Sequence, residues 1–233
     1  GRPFASGRVD AIVVDPRAKC TIAVASGPKI YKTTDCARSW RSSDFEANIT
    51  ALAIDPTSSA VYYAGNVNGD LLKSSDGGAS WRAVRRIDGQ RIRRVLATGG
   101  PPTTVYAVTQ SAGMLRSNDA GETWVDLRKG MEQYEAAFDF KAIALAPDHP
   151  GTIYFAAKYG ILRSSDQGTT WQPISLITAP GSVDIYSLAV NPKRSDEISY
   201  ATATTFYKSS DGGRSWVSKK LPTSRAASVM LVD

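Results

Sequence analysis

Short apolar segments recur along the chain, and turn-forming residues follow each of them. The segments that align best span residues 9–15, 49–55, 92–98, 140–146 and 185–191. Apolar runs of this length between turns predict β-strands. No stretch shows the 3.6-residue apolar period of an amphipathic helix. The pattern therefore predicts an all-β protein.

A polar loop of the form Ser/Thr-x-Asp-x-Gly-x-x-Trp, called the Asp loop below, recurs with the same period. The five Asp loops span residues 33–40, 74–81, 117–124, 164–171 and 209–216. They contain all five tryptophans of the chain, which are 41 to 47 residues apart. A period of this length is typical of propellers and other repeat arrays.

Each repeat reads as three short strands before the tryptophan and one after it. Four antiparallel strands per repeat, arranged radially, predict a β-propeller. A β-solenoid is the rival architecture, but its repeats are usually shorter and lack an internal hairpin. We expect one domain over residues 1–233. Its predicted repeats span residues 9–48, 49–91, 92–139, 140–184 and 185–226.

Residues 227–233 align with the first strand of a repeat and predict one extra strand. This strand could augment a five-bladed wheel. Alternatively, the chain could be part of a six- or seven-bladed wheel, or a second copy could complete it through self-association.

Segments such as 71–81, Leu-Leu-Lys-Ser-Ser-Asp-Gly-Gly-Ala-Ser-Trp, resemble the Asp-box, or bacterial neuraminidase repeat. Together with Ala-Ile-Asp-Pro at 53–56, the repeat sequence is similar to those of sortilin-type, xyloglucanase-type and photosystem II assembly-factor propellers. The resemblance covers essentially the whole chain and implies the fold more than the function, because one fold hosts many activities.

The Asp loops themselves predict a structural role. An aspartate can accept backbone N–H bonds in a tight turn, glycine supplies a positive φ, and tryptophan buries a large ring. One carboxylate per loop is too few for Ca²⁺, so we expect no metal site. The structural residues are Asp35, Asp76, Asp119, Asp166 and Asp211, with Trp40, Trp81, Trp124, Trp171 and Trp216.

The two cysteines lie symmetrically about the turn at Gly27-Pro28 and could face each other across strands. Cys36 is in the one Asp loop where Ala37 replaces glycine. We expect a Cys20–Cys36 disulfide rather than two free thiols, and hence a secreted, periplasmic or other extracytoplasmic location. No 18-residue apolar run predicts a membrane span.

In a four-stranded meander, the loops that enter each first strand lie at the end opposite the Asp loops. In related propellers ligands bind at that end, so the resemblance implies the same here. Six arginines fall within residues 82–94, although the net charge of the whole chain is only +6. The second positions of the predicted first strands are Asp10, Thr50, Arg93, Lys141 and Tyr186, with Ser228 in the extra strand.

We expect this end to bind a partner or an anion, with Arg93 and Lys141 on adjacent blades forming a cationic sector. The alternative is an edge strand protected by solvated arginines. The predicted binding residues are Arg85, Arg86, Arg91, Arg93, Arg94, Lys141 and Tyr186.

Catalysis has weaker support in the sequence. The long loop 125–139 holds Glu132, Glu135 and Asp139, which could act as the acid and base of a glycoside hydrolase. An ordinary solvated loop explains the same residues. A sialidase is not expected, because residues 1–4, Gly-Arg-Pro-Phe, lack the Phe/Tyr-Arg-Ile-Pro motif of that family.

Other chemistries lack their residues. His149 is the one histidine, so neither a Ser-His-Asp triad nor a multi-histidine metal site is expected. No nucleotide motif or cofactor is indicated, and the arginines lack the interleaved aromatics of single-strand nucleic-acid binders. The sequence thus favours a non-enzymatic extracytoplasmic module that binds a protein or an anionic or glycan ligand. A xyloglucanase-like or sialidase-like hydrolase is the alternative.

Overall fold

The computed structural model of the protein describes residues 8–222 and contains five antiparallel sheets of four strands each. In every sheet the strands lie in chain order, so each sheet is a simple meander. The Asp loop joins the third strand to the fourth in each sheet. We call the sheets blades 1 to 5 in chain order. The predicted extra strand 227–233, with Ser228, lies outside the described residues.

The strands have the order predicted for each repeat, with three strands before the tryptophan and one after it. Blade 1 contains β1 Ala11–Asp15, β2 Ala18–Ser26, β3 Lys29–Thr33 and β4 Arg41–Asp44. Blade 2 contains β5 Ile49–Asp55, β6 Ser58–Asn66, β7 Asp70–Ser74 and β8 Arg82–Arg86. Blade 3 contains β9 Ile92–Thr98, β10 Thr104–Thr109, β11 Met114–Ser117 and β12 Val125–Asp126.

Blade 4 contains β13 Phe140–Leu145, β14 Ile153–Ala157, β15 Gly160–Ser164 and β16 Gln172–Pro173. Blade 5 contains β17 Ser187–Asn191, β18 Arg194–Ala201, β19 Thr205–Ser209 and β20 Val217–Lys220. One short 3₁₀ turn, Arg128–Gly130, precedes blade 4. The predicted first strands of blades 2 and 3 have the observed bounds, and the observed first strands of blades 1, 4 and 5 are one or two residues shorter than predicted.

A β-bulge at the start of the first strand occurs in blades 2, 3 and 4. In blade 2, Ile49 lies opposite Asn66 and Ala51 opposite Gly65, so Thr50 has no residue opposite it. Arg93 and Lys141 occupy the same position in blades 3 and 4. Asp10 and Tyr186 lie just before β1 and β17, and each still donates its backbone N–H to the second strand. Bulges redirect side chains at the ends of sheets. We call this residue the bulge position and this end of the blades the bulge end.

The described chain divides into two compact units, one ending at Asp126 and the other beginning at Leu127. In the first unit, blades 1 and 2 pack through Ala25, Ile30, Leu52 and Tyr62. Blades 2 and 3 pack through a cluster that includes Leu71, Ile92 and Val105. In the second unit, blades 4 and 5 pack through a cluster that includes Tyr154, Ile161, Leu188 and Tyr200.

The disulfide expected from the sequence joins Cys20 of β2 to Cys36 of the first Asp loop, with 4.1 Å between the two Cα atoms. Cys36 also donates its backbone N–H to the carbonyl oxygen of Cys20, at 3.1 Å. Cys36 and Ala37 have φ angles of 57° and 68°, in the left-handed region. Glycines fill the same two positions in the second Asp loop, Gly77 and Gly78. The bridge therefore holds a turn that lacks both glycines.

All five Asp loops share one hydrogen-bond pattern, which the fifth illustrates. The hydroxyl of Ser209 donates to Asp211 at 2.7 Å and accepts the backbone N–H of Gly213 at 2.8 Å. Asp211 also accepts the backbone N–H and the hydroxyl of Ser215, at 2.9 and 2.5 Å. The aspartate side chains thus accept several hydrogen bonds within the turn.

These hydrogen bonds predict how stability depends on pH. Those from the Ser215 hydroxyl and backbone hold the pKa of Asp211 well below its ordinary value, and those of Asp35, Asp76 and Asp119 are lowered in the same way. In the unfolded chain the pKa returns to about 3.9. The stability from these carboxylates is therefore present above about pH 4 and is lost as the pH falls further.

We expect the unfolding midpoint in urea to decrease between about pH 5 and pH 2, and to decrease less in Asp211→Asn. The exposed Glu46→Gln, which changes the charge equally outside the Asp loops, is the control. An equally steep decrease in Asp211→Asn and in the unsubstituted protein would contradict the explanation.

Candidate ligand-binding site

A cavity of about 570 Å³ opens at the bulge end of the first unit. Its lining comes from the segments that enter the first strands and from the turn between β2 and β3. The polar and charged residues that matter most are Arg8, Asp10, Tyr31, Asn48, Thr50 and Arg91. Its volume is in the range of small-ligand sites. The cavity lies where the topology of the repeat predicts a ligand.

Two arginines and a lysine line this cavity, and a third arginine lies near it. Arg8, Lys29 and Arg91 line the cavity, and Lys29 is paired with Asp44. Arg93 does not line the cavity but is near enough for the charges of Arg91 and Arg8 to act on it. Desolvation lowers the pKa of Arg93, and the positive charges of Arg91 and Arg8 lower it further. The Nε of Arg91 is buried and has no hydrogen-bond partner among residues 8–222. The site thus brings three guanidinium groups together, and an anion would relieve their mutual repulsion.

Asp10 is the carboxylate of this site. It forms an ion pair with Arg8 at 3.3 Å and accepts the backbone N–H of Gly27 at 3.5 Å. The carboxylate therefore neutralises one of the three arginines. Arg91 and Arg93 form no ion pair within the described part of the chain.

Thr50 has a different role from the other bulge residues. Its side chain is buried, and its hydroxyl donates to the carbonyl oxygen of Ile92 at 2.6 Å, with the carbonyl of Gly65 at 3.2 Å. It therefore ties blade 2 to blade 3 below the cavity and fixes the position from which Arg93 projects.

The remaining arginines of residues 82–94 point to different surroundings. Arg82 pairs with Glu122 near the third Asp loop. Arg86 pairs with Asp88 at 2.7 Å and with Asp70 at 3.4 Å. Arg85 is exposed on the fourth strand of blade 2, and Arg94 donates to the carbonyl oxygen of Arg93. The cluster seen in the sequence is therefore distributed over several places, and Arg91 and Arg93 are its members at the cavity.

Lys141 and Tyr186 belong to the second unit. Lys141 forms ion pairs with Asp139 and Asp184, both at 3.4 Å. Tyr186 is 44% exposed. Lys141 occupies the bulge position, and Tyr186 lies at the aligned place just before β17. A cationic sector that joins Arg93 to Lys141 stays a prediction.

The three acidic residues of the long loop before blade 4 are all exposed. Asp139 pairs with Lys141, whereas Glu132 and Glu135 lie on either side of Tyr134 in the sequence. The hydroxyl of Tyr134 donates to the carbonyl oxygen of Trp171 at 2.6 Å, and its ring lies 5.2 Å from that of Tyr159. Tyr134 thus anchors this loop to blade 4. A catalytic role for Glu132, Glu135 and Asp139 stays a prediction.

His149 lies near a serine and an aspartate, but the geometry is not that of a catalytic triad. Nδ1 of His149 is 2.6 Å from the Ser195 hydroxyl and 3.3 Å from Asp148. A triad requires the serine and the acid on opposite ring nitrogens, whereas here both are at Nδ1. This cluster links blade 4 to blade 5.

Residues 8–222 show neither a metal-binding cluster nor a membrane-spanning helix. They contain no group of three or more His, Cys, Asp or Glu side chains placed to hold a metal ion. They also contain no helix long and apolar enough to cross a membrane.

Sequence reasoning did not single out Arg8, Tyr31 or Asn48. A signal was present, since Arg8 and Asn48 each lie two residues before a bulge position. Tyr31 had no such signal, because its place in the cavity depends on how the β2–β3 hairpin faces blade 2.

Comparison with known proteins gives relatives for part of the chain. No protein-family model matches it. It is 24% identical over 143 residues to a probable oligoxyloglucan-reducing end-specific xyloglucanase of Neosartorya fischeri. It is 28% identical over 134 residues to a xyloglucanase of a Paenibacillus species. These matches cover 53% and 46% of this chain but only 17% and 13% of the relatives.

Solved structures extend the similarity to most of the chain. A GH74 enzyme of Niastella koreensis has a TM-score of 0.74 at 18% identity, covering 91% of this chain and 38% of that one. The GH74 xyloglucanase of Xanthomonas campestris has a TM-score of 0.72 at 19% identity, covering 90% and 38%. YCF48 bound to D1 peptide has a TM-score of 0.69 at 17% identity, covering 92% and 67%.

The five four-stranded blades and these neighbours confirm the predicted β-propeller fold. The predicted similarity to xyloglucanase-type propellers is confirmed as well. Similarity to sortilin-type and photosystem II assembly-factor propellers stays a prediction. At these identities the structural similarity shows the fold alone, and one fold supports many functions.

Proposed function

We propose that this chain is a non-enzymatic binding module that holds an anionic segment of a protein partner in the bulge-end cavity of its first unit. One observation carries the proposal: Arg8 and Arg91 line a cavity, Arg93 is near enough to feel both charges, and Asp10 balances one of the three. An anionic ligand would supply the missing countercharge.

The chemistry of the cavity suits a carboxylate. Arginine offers a planar fork that can bind both oxygens of a carboxylate, and such charge-assisted bonds are stronger than neutral ones. Tyr31, Asn48 and the main chain at Gly27 provide polar groups around the charge. A volume of about 570 Å³ accommodates one or two side chains of a peptide rather than a folded surface.

The comparisons support a peptide as the ligand class, since YCF48, a propeller with the same fold, was solved with a bound D1 peptide. We infer also that the five Asp loops are Asp-boxes, from their shared hydrogen-bond pattern. The disulfide supports an extracytoplasmic location, because such bonds persist in oxidising compartments.

The test uses a fluorescently labelled hexapeptide of aspartate and glutamate with a free C-terminus. We expect Arg91→Ser/Arg93→Ser to weaken its binding by roughly tenfold or more at about 20 mM salt, with a smaller difference at about 300 mM. The control is Arg38→Ser/Arg214→Ser, which removes the same charge from exposed positions in two Asp loops. Equal losses in both double variants would reduce the effect to net charge and overturn the proposal.

A glycoside hydrolase is the second candidate, favoured by the sequence similarity to two xyloglucanases. The same protein preparations, incubated with xyloglucan, should release no reducing ends above a heat-treated sample. Release that disappears in Glu132→Gln, Glu135→Gln or Asp139→Asn would establish the hydrolase instead.

A further inference from the structure

A second cavity, of about 460 Å³, lies at the opposite end of the first unit, between blade 1 and the second Asp loop. Its lining includes Lys32, Arg41, Tyr62, Ala79 and Trp81. The same junction occurs between blade 2 and the third Asp loop. The two junctions differ in two side chains.

Between blades 2 and 3 the junction is filled. Lys73 and Arg82 lie directly opposite each other on β7 and β8. Like charges in this arrangement repel, and the carboxylate of Glu122 from the third Asp loop binds both, with the Lys73 contact at 2.8 Å. Beside them, the hydroxyl of Tyr63 donates to the carbonyl oxygen of Ala120 at 3.1 Å. One carboxylate therefore bridges the two cations of this junction, and the tyrosine side chain fills the space beside them.

Between blades 1 and 2 the basic pair is kept. Lys32 and Arg41 lie opposite each other on β3 and β4, as Lys73 and Arg82 do on β7 and β8. The third residue after the loop aspartate is Ala79, where the next loop has Glu122. The countercharge of the pair is thus missing at this junction.

A second sequence difference between the two junctions provides the space. Ala23 lies opposite Lys32, as Tyr63 lies opposite Lys73. A Cβ atom on Gly121 would come within 3.1 Å of the Tyr63 ring, whereas one on Gly78 would meet only Trp81, at 3.8 Å. Loss of the tyrosine ring and of the glutamate side chain therefore accounts for the cavity.

The other charges nearby do not replace Glu122. Asp76 accepts hydrogen bonds within its own loop from Ser74 and Ser80, as Asp119 does in the next loop. Asp15 lies near Lys32 as Asp55 lies near Lys73. Both junctions thus have a loop aspartate and a strand aspartate, and only the junction between blades 2 and 3 also has a glutamate, Glu122. Lys32 instead donates to the carbonyl oxygen of Gly77 at 2.6 Å, and desolvation lowers its pKa.

We propose that this cavity is a binding site for a small organic carboxylate, whose carboxyl group occupies the place that Glu122 holds in the next repeat. Lys32 and Arg41 bind the carboxylate. Trp81 and Ser42 line the space that receives the rest of the ligand, and the buried Tyr62 ring lies under the Lys32 ammonium, 4.8 Å from it. This site is separate from the bulge-end cavity and does not depend on the function proposed for it.

Titration calorimetry with glutarate and with D-glucuronate, in a buffer without carboxylates, tests the site. Glutarate represents an acidic amino-acid side chain and glucuronate an acidic sugar, so the tighter ligand identifies the source. Glutaramide, which is neutral, should not bind. We expect Arg41→Gln to weaken binding roughly tenfold, because Arg41 is exposed and its loss leaves the core intact.

The decisive variant is Ala79→Glu, which should restore the carboxylate, pair with Lys32 and Arg41, and abolish binding of either ligand. The control is Ser75→Glu, which adds the same charge at an exposed position of the same loop and should bind as the unsubstituted protein does. Undiminished binding by Ala79→Glu or by Arg41→Gln would overturn the proposal. So would the absence of binding of both acids at millimolar concentration. Circular dichroism verifies that each variant is folded.

Discussion

Replacing Gly65 with alanine is expected to destabilise the first unit by about 3 kcal/mol, because overpacking a rigid core forces side chains and backbone to shift. A Cβ atom at this position would overlap the side chain of Ile92. Ile92 is completely buried, and the hydroxyl of Thr50 binds the carbonyl groups of both Gly65 and Ile92. The two blades therefore cannot move apart without breaking these hydrogen bonds.

Urea denaturation followed by tryptophan fluorescence measures this change. Gly99→Ala is the matched control, since its added Cβ would lie 3.6 Å from Thr57, an ordinary contact. Ile92→Ala alone should cost about 2 to 5 kcal/mol through the space it leaves. Gly65→Ala/Ile92→Ala should then cost clearly less than the sum of the two single changes. Additive effects would show that the two residues do not collide.

Removing the disulfide is the second large effect. We expect Cys20→Ser/Cys36→Ser to lower the free energy of unfolding by about 3 kcal/mol, the value that the chain-entropy model gives for a loop of this length. The first Asp loop depends on the bond more than the length suggests, because Cys36 and Ala37 both adopt left-handed backbone angles without glycine. Reduction of the native protein should have a similar effect.

A third substitution separates the two contributions. In the Cys20→Ser/Cys36→Ser background, Ala37→Gly should recover about 1 kcal/mol, because glycine adopts φ near 68° without steric cost. Ala60→Gly, within the strand β6, should recover nothing. If the doubly substituted protein were as stable as the oxidised one, the bridge would have no role in holding the loop.

The spacing of the Asp loops was sufficient to predict the blades, because the tryptophan and the aspartate mark the same turn in every repeat. The bulges could not be predicted in this way. One inserted residue breaks the alternation of a strand, but first strands such as β5 are buried on both faces and show no alternation to break.

The charged surfaces were harder to predict than the fold. Arg86 and Arg93 are close in the sequence, yet one pairs with Asp70 and the other lies beside the bulge-end cavity. Pairing of this kind depends on which strand faces which, and sequence distance does not give that. The exchange of Glu122 for Ala79 was visible in the aligned loops, but its meaning required the basic pair that faces it across the junction.

At the bulge position, the kind of side chain differs between blades although the fold of the blades is the same. The residues at this position in blades 2, 3 and 4 are a threonine, an arginine and a lysine, and an aspartate and a tyrosine lie at the aligned places in blades 1 and 5. Such diversity at one structural place is tolerated because an unpaired residue carries no obligation to match a neighbour across the sheet. Except in blade 2, where Thr50 joins two blades, these places can therefore carry acidic, basic or aromatic side chains while the strands keep their register.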